Sequence, residues 1–254
     1  MSTNLKLETV IAVRPNKKIY RSGDYAIKVF DSKFSKADVL NEALNQARVE
    51  TTGLNIPKII EVTQTEQGEW VIISEFIEGK TLQQIMDENP DKIDELMEQF
   101  VKYQIEISTK RCSLLTKHKD KMVTKIELAD LDNVTRYELR TRLEGIHRQN
   151  HLCHGDFVPS NIIIKEDGSV YIIDWAHATQ GAPCADAART YLTYALNKEF
   201  ELADKYLDTY CALSGIGKKN IQKWLPIVAA SQSVKGIKEE REFLLSWINV
   251  SDYE

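Results

Sequence analysis

The stretch His151–Trp175, HLCHGDFVPSNIIIKEDGSVYIIDW, constrains this chain more than any other. Two short β-branched runs, Ile162-Ile163-Ile164 and Val170-Tyr171-Ile172-Ile173, flank Lys165-Glu166-Asp167-Gly168-Ser169. Such runs around an Asp-Gly pair read as a hairpin, with Gly168 at positive φ. A hairpin sets the start of its first strand beside the end of its second. Asn161 begins the first strand and Asp174 ends the second, so the two are expected side by side. Asp156 falls on the loop just ahead of them.

Elements on either side complete the layout. Ile11–Val13, Lys18–Tyr20 and Tyr25–Phe30 read as strands, with a turn at Ser22-Gly23-Asp24. Ser35-Lys36-Ala37-Asp38 resembles a capping box and opens a helix to about Thr51, its inner stripe at Val39, Ala43, Gln46 and Ala47. Two more strands follow, Lys58–Gln64 and Glu69–Phe76, turning at Glu66-Gln67-Gly68. Ile77–Lys80 reads as a short connector. Helical patterns then dominate: Thr81–Glu88, Ile93–Ser108, Lys121–Leu131, Asn133–Arg148, Ala185–Leu196, Glu199–Ser214, Lys218–Lys235 and Ile237–Val250. Cys112–Lys121 reads as a solvated basic loop. The expected fold is α+β in two lobes, a small β-rich lobe over residues 1–76 and a larger helical one over 77–254.

Oxygen-bearing residues in this pattern suit phosphoryl transfer. Magnesium prefers oxygen ligands, commonly one or two carboxylates with phosphate and water making up the rest. Asp174 can bridge a metal to phosphates, Asn161 can add a neutral oxygen, and Asp156 can orient a hydroxyl and accept its proton. Those are the roles of the residues at matching spacing in protein kinases.

The same residues carry a family resemblance. His-Gly-Asp-x₄-Asn, a hairpin and then Ile-Asp-Trp resemble the aminoglycoside phosphotransferase and choline kinase superfamily, which has a protein-kinase-like fold. The resemblance runs from about Ile11 to Val250 and is sharp only between His151 and Arg189. It implies a small-molecule kinase that uses Mg²⁺ with ATP, or GTP, and phosphorylates a hydroxyl of a small acceptor, amine-bearing in aminoglycoside-like or choline-like members. Lys28, in the strand Ala26–Val29, then matches the lysine that holds nucleotide phosphates. Glu42 on the following helix matches its glutamate partner, with Glu50 as the alternative. The segment Ser74–Gly79 matches the hinge, where the main chains of Glu75 and Ile77 meet the adenine ring between apolar walls at Ile27, Ile59 and Ile173. His154 and Asp186 match residues that support the catalytic loop.

Two features depart from the family pattern. The loop Arg14-Pro15-Asn16-Lys17-Lys18 has no glycine where protein kinases carry a glycine-rich lid. Lys17 and Lys18 are expected to compensate as point charges. Ala176 stands where choline-kinase-like members carry an acidic residue. The glycine-free lid motivates an alternative, a nucleotide-binding regulator with little catalysis. A protein-kinase reading is weaker, since Gly155 replaces the arginine of His-Arg-Asp and no Ala-Pro-Glu-like segment follows Trp175.

Composition narrows the partners. The 254 residues are 43% hydrophobic and 28% charged, with a net charge of −5, which does not suit a dedicated nucleic-acid binder. The first residues lack an apolar signal core, and no run reaches membrane-spanning length. Cys112, Cys153, Cys184 and Cys211 are widely spaced, which fits a reducing cytoplasm rather than a disulfide or zinc framework. For the acceptor, the helices after Lys80 and Ala185 offer Tyr191, Tyr194, Trp224, Trp247, Glu239, Glu240 and Glu242 as candidate contacts to an amine.

Overall fold

The computed structural model describes residues 7–14, 16–234 and 238–248. They form two compact units. One holds the chain up to Ile85 together with Pro159–His177, and the other holds Met86–Val158 and the chain from Ala178. The hairpin of residues 162–172 therefore packs with the N-terminal sheet, although a boundary at 76/77 would leave it with the C-terminal region.

The first unit is built on five antiparallel strands, β1 (Thr9–Arg14), β2 (Lys17–Ser22), β3 (Tyr25–Phe30), β4 (Ile59–Gln64) and β5 (Trp70–Glu75), in the order β1-β2-β3-β5-β4. Gly23 and Gly68 turn the chain at φ 56° and 83°, where a side chain would be strained. Helix α1 (Lys36–Val49) starts where Ser35 accepts the Asp38 N–H at 3.1 Å. Strand alternation divides the apolar residues between the two faces. Phe30 and Ile72 pack with Val39 and Ala43 of α1. Ile27, Val29, Val71 and Ile73 form a second cluster with Tyr20 against it. The buried stripe of α1 also takes in Glu42, Asn45 and Val49, whereas Ala47 rotates off it and is exposed.

Five short strands follow: β6 (Lys80–Thr81), β7 (His151–Cys153), β8 (Ile162–Ile164), β9 (Val170–Ile172) and β10 (Thr179–Gly181). In the first unit β6, β8 and β9 form one sheet, so the expected connector at Lys80 is a strand. Ile172 N–H donates to Asn55 O at 3.1 Å and ties this hairpin back to the chain after α1. Gly168 turns the hairpin at φ 80°. Gly79 is required by close approach rather than by φ: a Cβ there would lie 2.5 Å from the Ile164 carbonyl oxygen.

The second unit is helical around β7 and β10, which pair antiparallel. Its helices are the end of α2 (Leu82–Glu88), α3 (Ile93–Thr109), α4 (His118–Leu128), α5 (Asn133–Gly145), α6 (Pro183–Leu196), α7 (Phe200–Ser214), α8 (Lys218–Gln222), α9 (Leu225–Ser233) and α10 (Lys238–Ser246). Phe100 of α3 stacks on Phe157 at 4.7 Å and meets Tyr206 and Tyr194, which makes these aromatics core. Three sequence expectations shift here. The single helix expected from Lys218 breaks in two, because Pro226 has no N–H and its ring opposes the carbonyl four residues back, at Gln222, where α8 ends. Its expected end, Lys235, lies outside the described residues, as do both ends expected for the last helix, Ile237 and Val250. The expected basic loop is partly core: Cys112, Leu115 and His118 are buried and α4 already starts at His118. The Gln180 amide holds that segment by donating to the carbonyls of Ser113 and Leu115 at 2.9 and 2.6 Å.

Cys112, Cys153, Cys184 and Cys211 form no disulfide. Among the described residues, no helix is long and apolar enough to cross a membrane. The strand-rich first unit and helical second unit match the α+β class expected from the sequence.

Gly79→Ala should destabilise the protein by about 1–3 kcal/mol, because the backbone carbonyl it meets cannot move aside as a side-chain tip would. Urea unfolding checks this, and an unchanged midpoint would show that the segment relaxes freely.

Candidate active site

In the first unit, four charged side chains alternate in sign. Lys28 on β3 points to the α1 face of the sheet, as Phe30 does two residues on. There its ammonium contacts the Glu42 carboxylate and lies 3.4 Å from Asp174 Oδ1. Lys17 on β2 reaches the same pair, 3.6 Å from Glu42 and 3.6 Å from Asp174 Oδ2. Burial opposes the charge on Lys28, but Asp174 and Glu42 outweigh it and hold its pKa above the ordinary lysine value. Lys18 alternates to the other face and is exposed, so only one of the two lid lysines joins the cluster. Glu50 is engaged elsewhere: its carboxylate accepts the Ile59 N–H at 2.8 Å.

Asp174 follows β9 with φ 63°. A left-handed backbone is costly for a residue with a Cβ, though Asp tolerates it better than most. This conformation turns the chain sharply out of the strand and into a short 3₁₀ turn, Trp175–His177. Two contacts fix the turn. Trp175 is buried and its indole donates to Ile172 O at 3.0 Å. Asn45 of α1 donates to Ala176 O at 3.0 Å. Asn161, on the 3₁₀ turn before β8, is buried and its carbonyl accepts the Ile173 N–H at 2.9 Å. The hairpin thus brings Asn161 beside Asp174. Both contribute oxygen donors suited to a hard divalent cation.

The hinge segment leaves the same sheet. Glu75 N–H donates to Lys58 O at 3.0 Å and Phe76 N–H to Asp24 O at 2.8 Å. Ile77 follows, half-buried, beyond the end of β5. Arg21 covers Phe76 at 4.2 Å and forks onto the Glu78 carboxylate at 3.2 and 3.3 Å. The apolar walls expected from the sequence are split. Ile27 belongs to one face of the sheet, while Ile59, half-buried, packs against the α1-side cluster.

In the second unit, the loop after β7 is held by Asp186 at the start of α6. The buried Asp186 carboxylate accepts the N–H groups of His154 at 3.0 Å and Gly155 at 2.7 Å. Gly155 sits at φ 78°, where glycine is at ease. The fully buried His154 ring accepts the Asp156 N–H on Nδ1 at 3.2 Å, which requires that nitrogen to be unprotonated. Thr190 donates to Phe157 O at 3.0 Å. Every residue from His154 to Phe157 is therefore tied to a partner, and the Asp156 carboxylate stands part-exposed at the end. Arg189, one turn beyond Asp186, approaches it with Nη2 3.3 Å from Asp156 Oδ1. Sequence reasoning named no role for Arg189; its signal was the helical i, i+3 spacing from Asp186.

The candidate acceptor residues do not form a cage. Tyr194 and Trp224 are buried in the core. Tyr191 and Trp247 meet edge to face at 5.7 Å, and Glu239 and Glu242 are exposed on α10.

A site of this composition on this fold defines a class, the kinase-like phosphotransferases. More particularly, the chain belongs to the phosphotransferase enzyme family, whose model matches residues 16–221. Protein LicA of Haemophilus influenzae is 37% identical over 59 residues, a match that spans 23% of this chain and 21% of LicA. Among solved structures, a thermostable mutant of aminoglycoside phosphotransferase APH(4)-Ia, in ternary complex with AMP-PNP and hygromycin B, superposes with a TM-score of 0.67 at 15% identity over 94% of this chain and 90% of that one. A choline/ethanolamine kinase family protein from Mesorhizobium loti gives 0.61 at 12% identity over 96% and 87%. The GDP complex of wild-type aminoglycoside 2'-phosphotransferase-IIIa gives 0.58 at 17% over 96% and 92%.

Asp186→Asn should destabilise the protein by about 1.5–3 kcal/mol, because an amide turns an N–H toward a loop that already offers two N–H donors. Chemical unfolding measures it, and a loss well under 1 kcal/mol would mean the two bonds matter little.

Proposed function

We propose that this chain is a small-molecule kinase that transfers the γ-phosphoryl group of a nucleoside triphosphate to a hydroxyl of a small acceptor. The observation that carries this reading is the alternating cluster of Lys17, Lys28, Glu42 and Asp174. Two cations are held together there next to a carboxylate and an amide that suit Mg²⁺. Among the described residues, no three His, Cys, Asp or Glu side chains gather as a metal site. The donor set is therefore one carboxylate and one amide, as fits magnesium that arrives with phosphate ligands rather than one caged by protein.

Each residue then has a role. Lys28 neutralises the nucleotide phosphates, with Glu42 aiming its ammonium. Lys17 adds a second charge in place of backbone donors from a glycine-rich lid. Asn161 and Asp174 would hold the magnesium, which supplies charge neutralisation on the transferring phosphoryl group. The main chains of Glu75 and Ile77 meet the base. Backbone groups of this kind serve adenine or guanine, and the AMP-PNP and GDP complexes of the structural neighbours span both. Asp156 orients the acceptor hydroxyl and takes its proton as the oxygen bonds to the γ-phosphorus and the β-phosphate leaves. His154 and Asp186 hold the loop that carries it.

Asp156→Asn should lower phosphoryl transfer by about 10²–10⁴-fold while nucleotide affinity changes little. The assay follows γ-labelled ATP with a panel of aminoglycosides, choline, ethanolamine and small sugars, and with water alone as acceptor. Full activity in the variant would remove Asp156 from the chemistry.

A further inference from the structure

The second unit contains a cavity with about 570 Å³ of empty space, part of it open to solvent. None of the roles assigned above uses it. Its rim carries Lys117, Lys119, His147 and Arg148, its interior is lined by His118 and Trp224, and no carboxylate lines it. Not all of this charge is available. The Lys119 ammonium already donates to Ile146 O at 2.6 Å and Glu144 O at 3.2 Å, at the end of α5. Arg148 has a distant exposed partner, with Nη2 3.7 Å from Asp120 Oδ1, which leaves most of its donors unspent. Lys117 has no ion-pair partner among the described residues.

The interior supplies a second, independent sign of a ligand. The His118 side chain is only 8% exposed, and its Nδ1 has no hydrogen-bond partner. The ring cannot turn away easily. Gly181 backs it so closely that a Cβ there would lie 2.3 Å from the His118 Cβ, and Trp224 stands 5.8 Å away. Burial, with Lys121 and then Arg189 adding to it, lowers the His118 pKa to about 3, so the ring is neutral and one nitrogen carries a proton to donate. A buried polar nitrogen is ordinarily paired, and the residue that carries this one is among those lining the cavity. Arg189 adds to the lowering of the His118 pKa, and its Nη2 lies 3.3 Å from Asp156 Oδ1.

We propose that this cavity is the anchoring subsite of the acceptor and takes an anionic group, a carboxylate or a phosphate carried on the hydroxyl compound. A polycationic amino sugar would meet charge of its own sign there. A quaternary ammonium would find a single indole and no carboxylate, where recognition calls for an aromatic cage. An anion instead meets Lys117 and Arg148 at the rim and the imidazole within, with Trp224 to pack the attached carbon frame. The word acceptor rests on the kinase reading above, whereas anion binding does not.

The test is calorimetric titration of the full chain with inorganic phosphate and, separately, acetate, each with and without saturating Mg·AMP-PNP. One saturable anion per chain is expected, weakened about tenfold by Arg148→Glu and similarly by Lys117→Glu, with Mg·AMP-PNP affinity unchanged. Tighter phosphate binding identifies a phosphorylated acceptor and tighter acetate binding a carboxylic acid. No binding of either anion, or binding indifferent to both variants, overturns the proposal. Failure of Mg·AMP-PNP to bind the unaltered chain overturns the kinase reading instead, while the titrations without nucleotide still decide the cavity. In turnover with glycerate and glycerol phosphate added to the panel, Arg148→Glu should raise KM about tenfold and spare kcat. Turnover confined to cationic acceptors and blind to Arg148→Glu contradicts the assignment.

Discussion

The contact between Lys28 and the carboxylates of Glu42 and Asp174 is the interaction on which the first unit depends. Lys28 comes from the sheet, Glu42 from α1 and Asp174 from the end of the hairpin, so one ammonium joins three elements. Burying such charges is expensive, and mutual attraction offsets that cost only when geometry is good and no charge is left alone. Here each ammonium faces two carboxylates and each carboxylate faces two ammonium groups. Removing one member leaves the others uncompensated, which is why such a cluster specifies one arrangement more strongly than it adds stability. Under the proposed function, phosphate oxygens would take the place of carboxylate oxygens around the two lysines.

The second unit solves a different problem, how to hold a short loop that carries a part-exposed carboxylate. Asp186 accepts two consecutive N–H groups, and the His154 ring accepts a third. Hydrogen bonds to a buried ionised group are among the stronger ones in proteins. The loop is thereby fixed through its backbone, with the Asp156 carboxylate part-exposed beside Arg189. Arg189 Nη2 lies 3.3 Å from that carboxylate.

Much of this was legible in the sequence, and the reasons are local. The hairpin was readable because β-branched runs and Asp167-Gly168 act within a few residues. The nearness of Asn161 and Asp174 follows from that hairpin alone. Lys28 and Glu42 were readable as candidates through the family resemblance, and strand alternation explains why Lys17 joins them and Lys18 does not. What stayed hidden depends on tertiary contacts. The left-handed backbone of Asp174 is set by the turn that Trp175 and Asn45 lock. The burial of His118 comes from Gln180 and Gly181, more than sixty residues later in the chain. The helix break at Gln222 was visible in Pro226, but the apolar periodicity runs across it. Of the aromatic acceptor candidates, Tyr194 packs among the core aromatics while Trp224 lines the cavity of the second unit, a difference that helical spacing alone does not reveal.

The central claim is that the Lys28–Asp174 cluster is a magnesium-dependent nucleotide site. The most direct measurement is a calorimetric titration of AMP-PNP into the unaltered chain and into Asp174→Asn, each with magnesium and with chelator. The account predicts saturable binding that requires magnesium in the unaltered chain and weakens at least about tenfold in the variant, because a metal ligand is lost. Equal affinity with and without magnesium, or an unchanged affinity in Asp174→Asn, would contradict it.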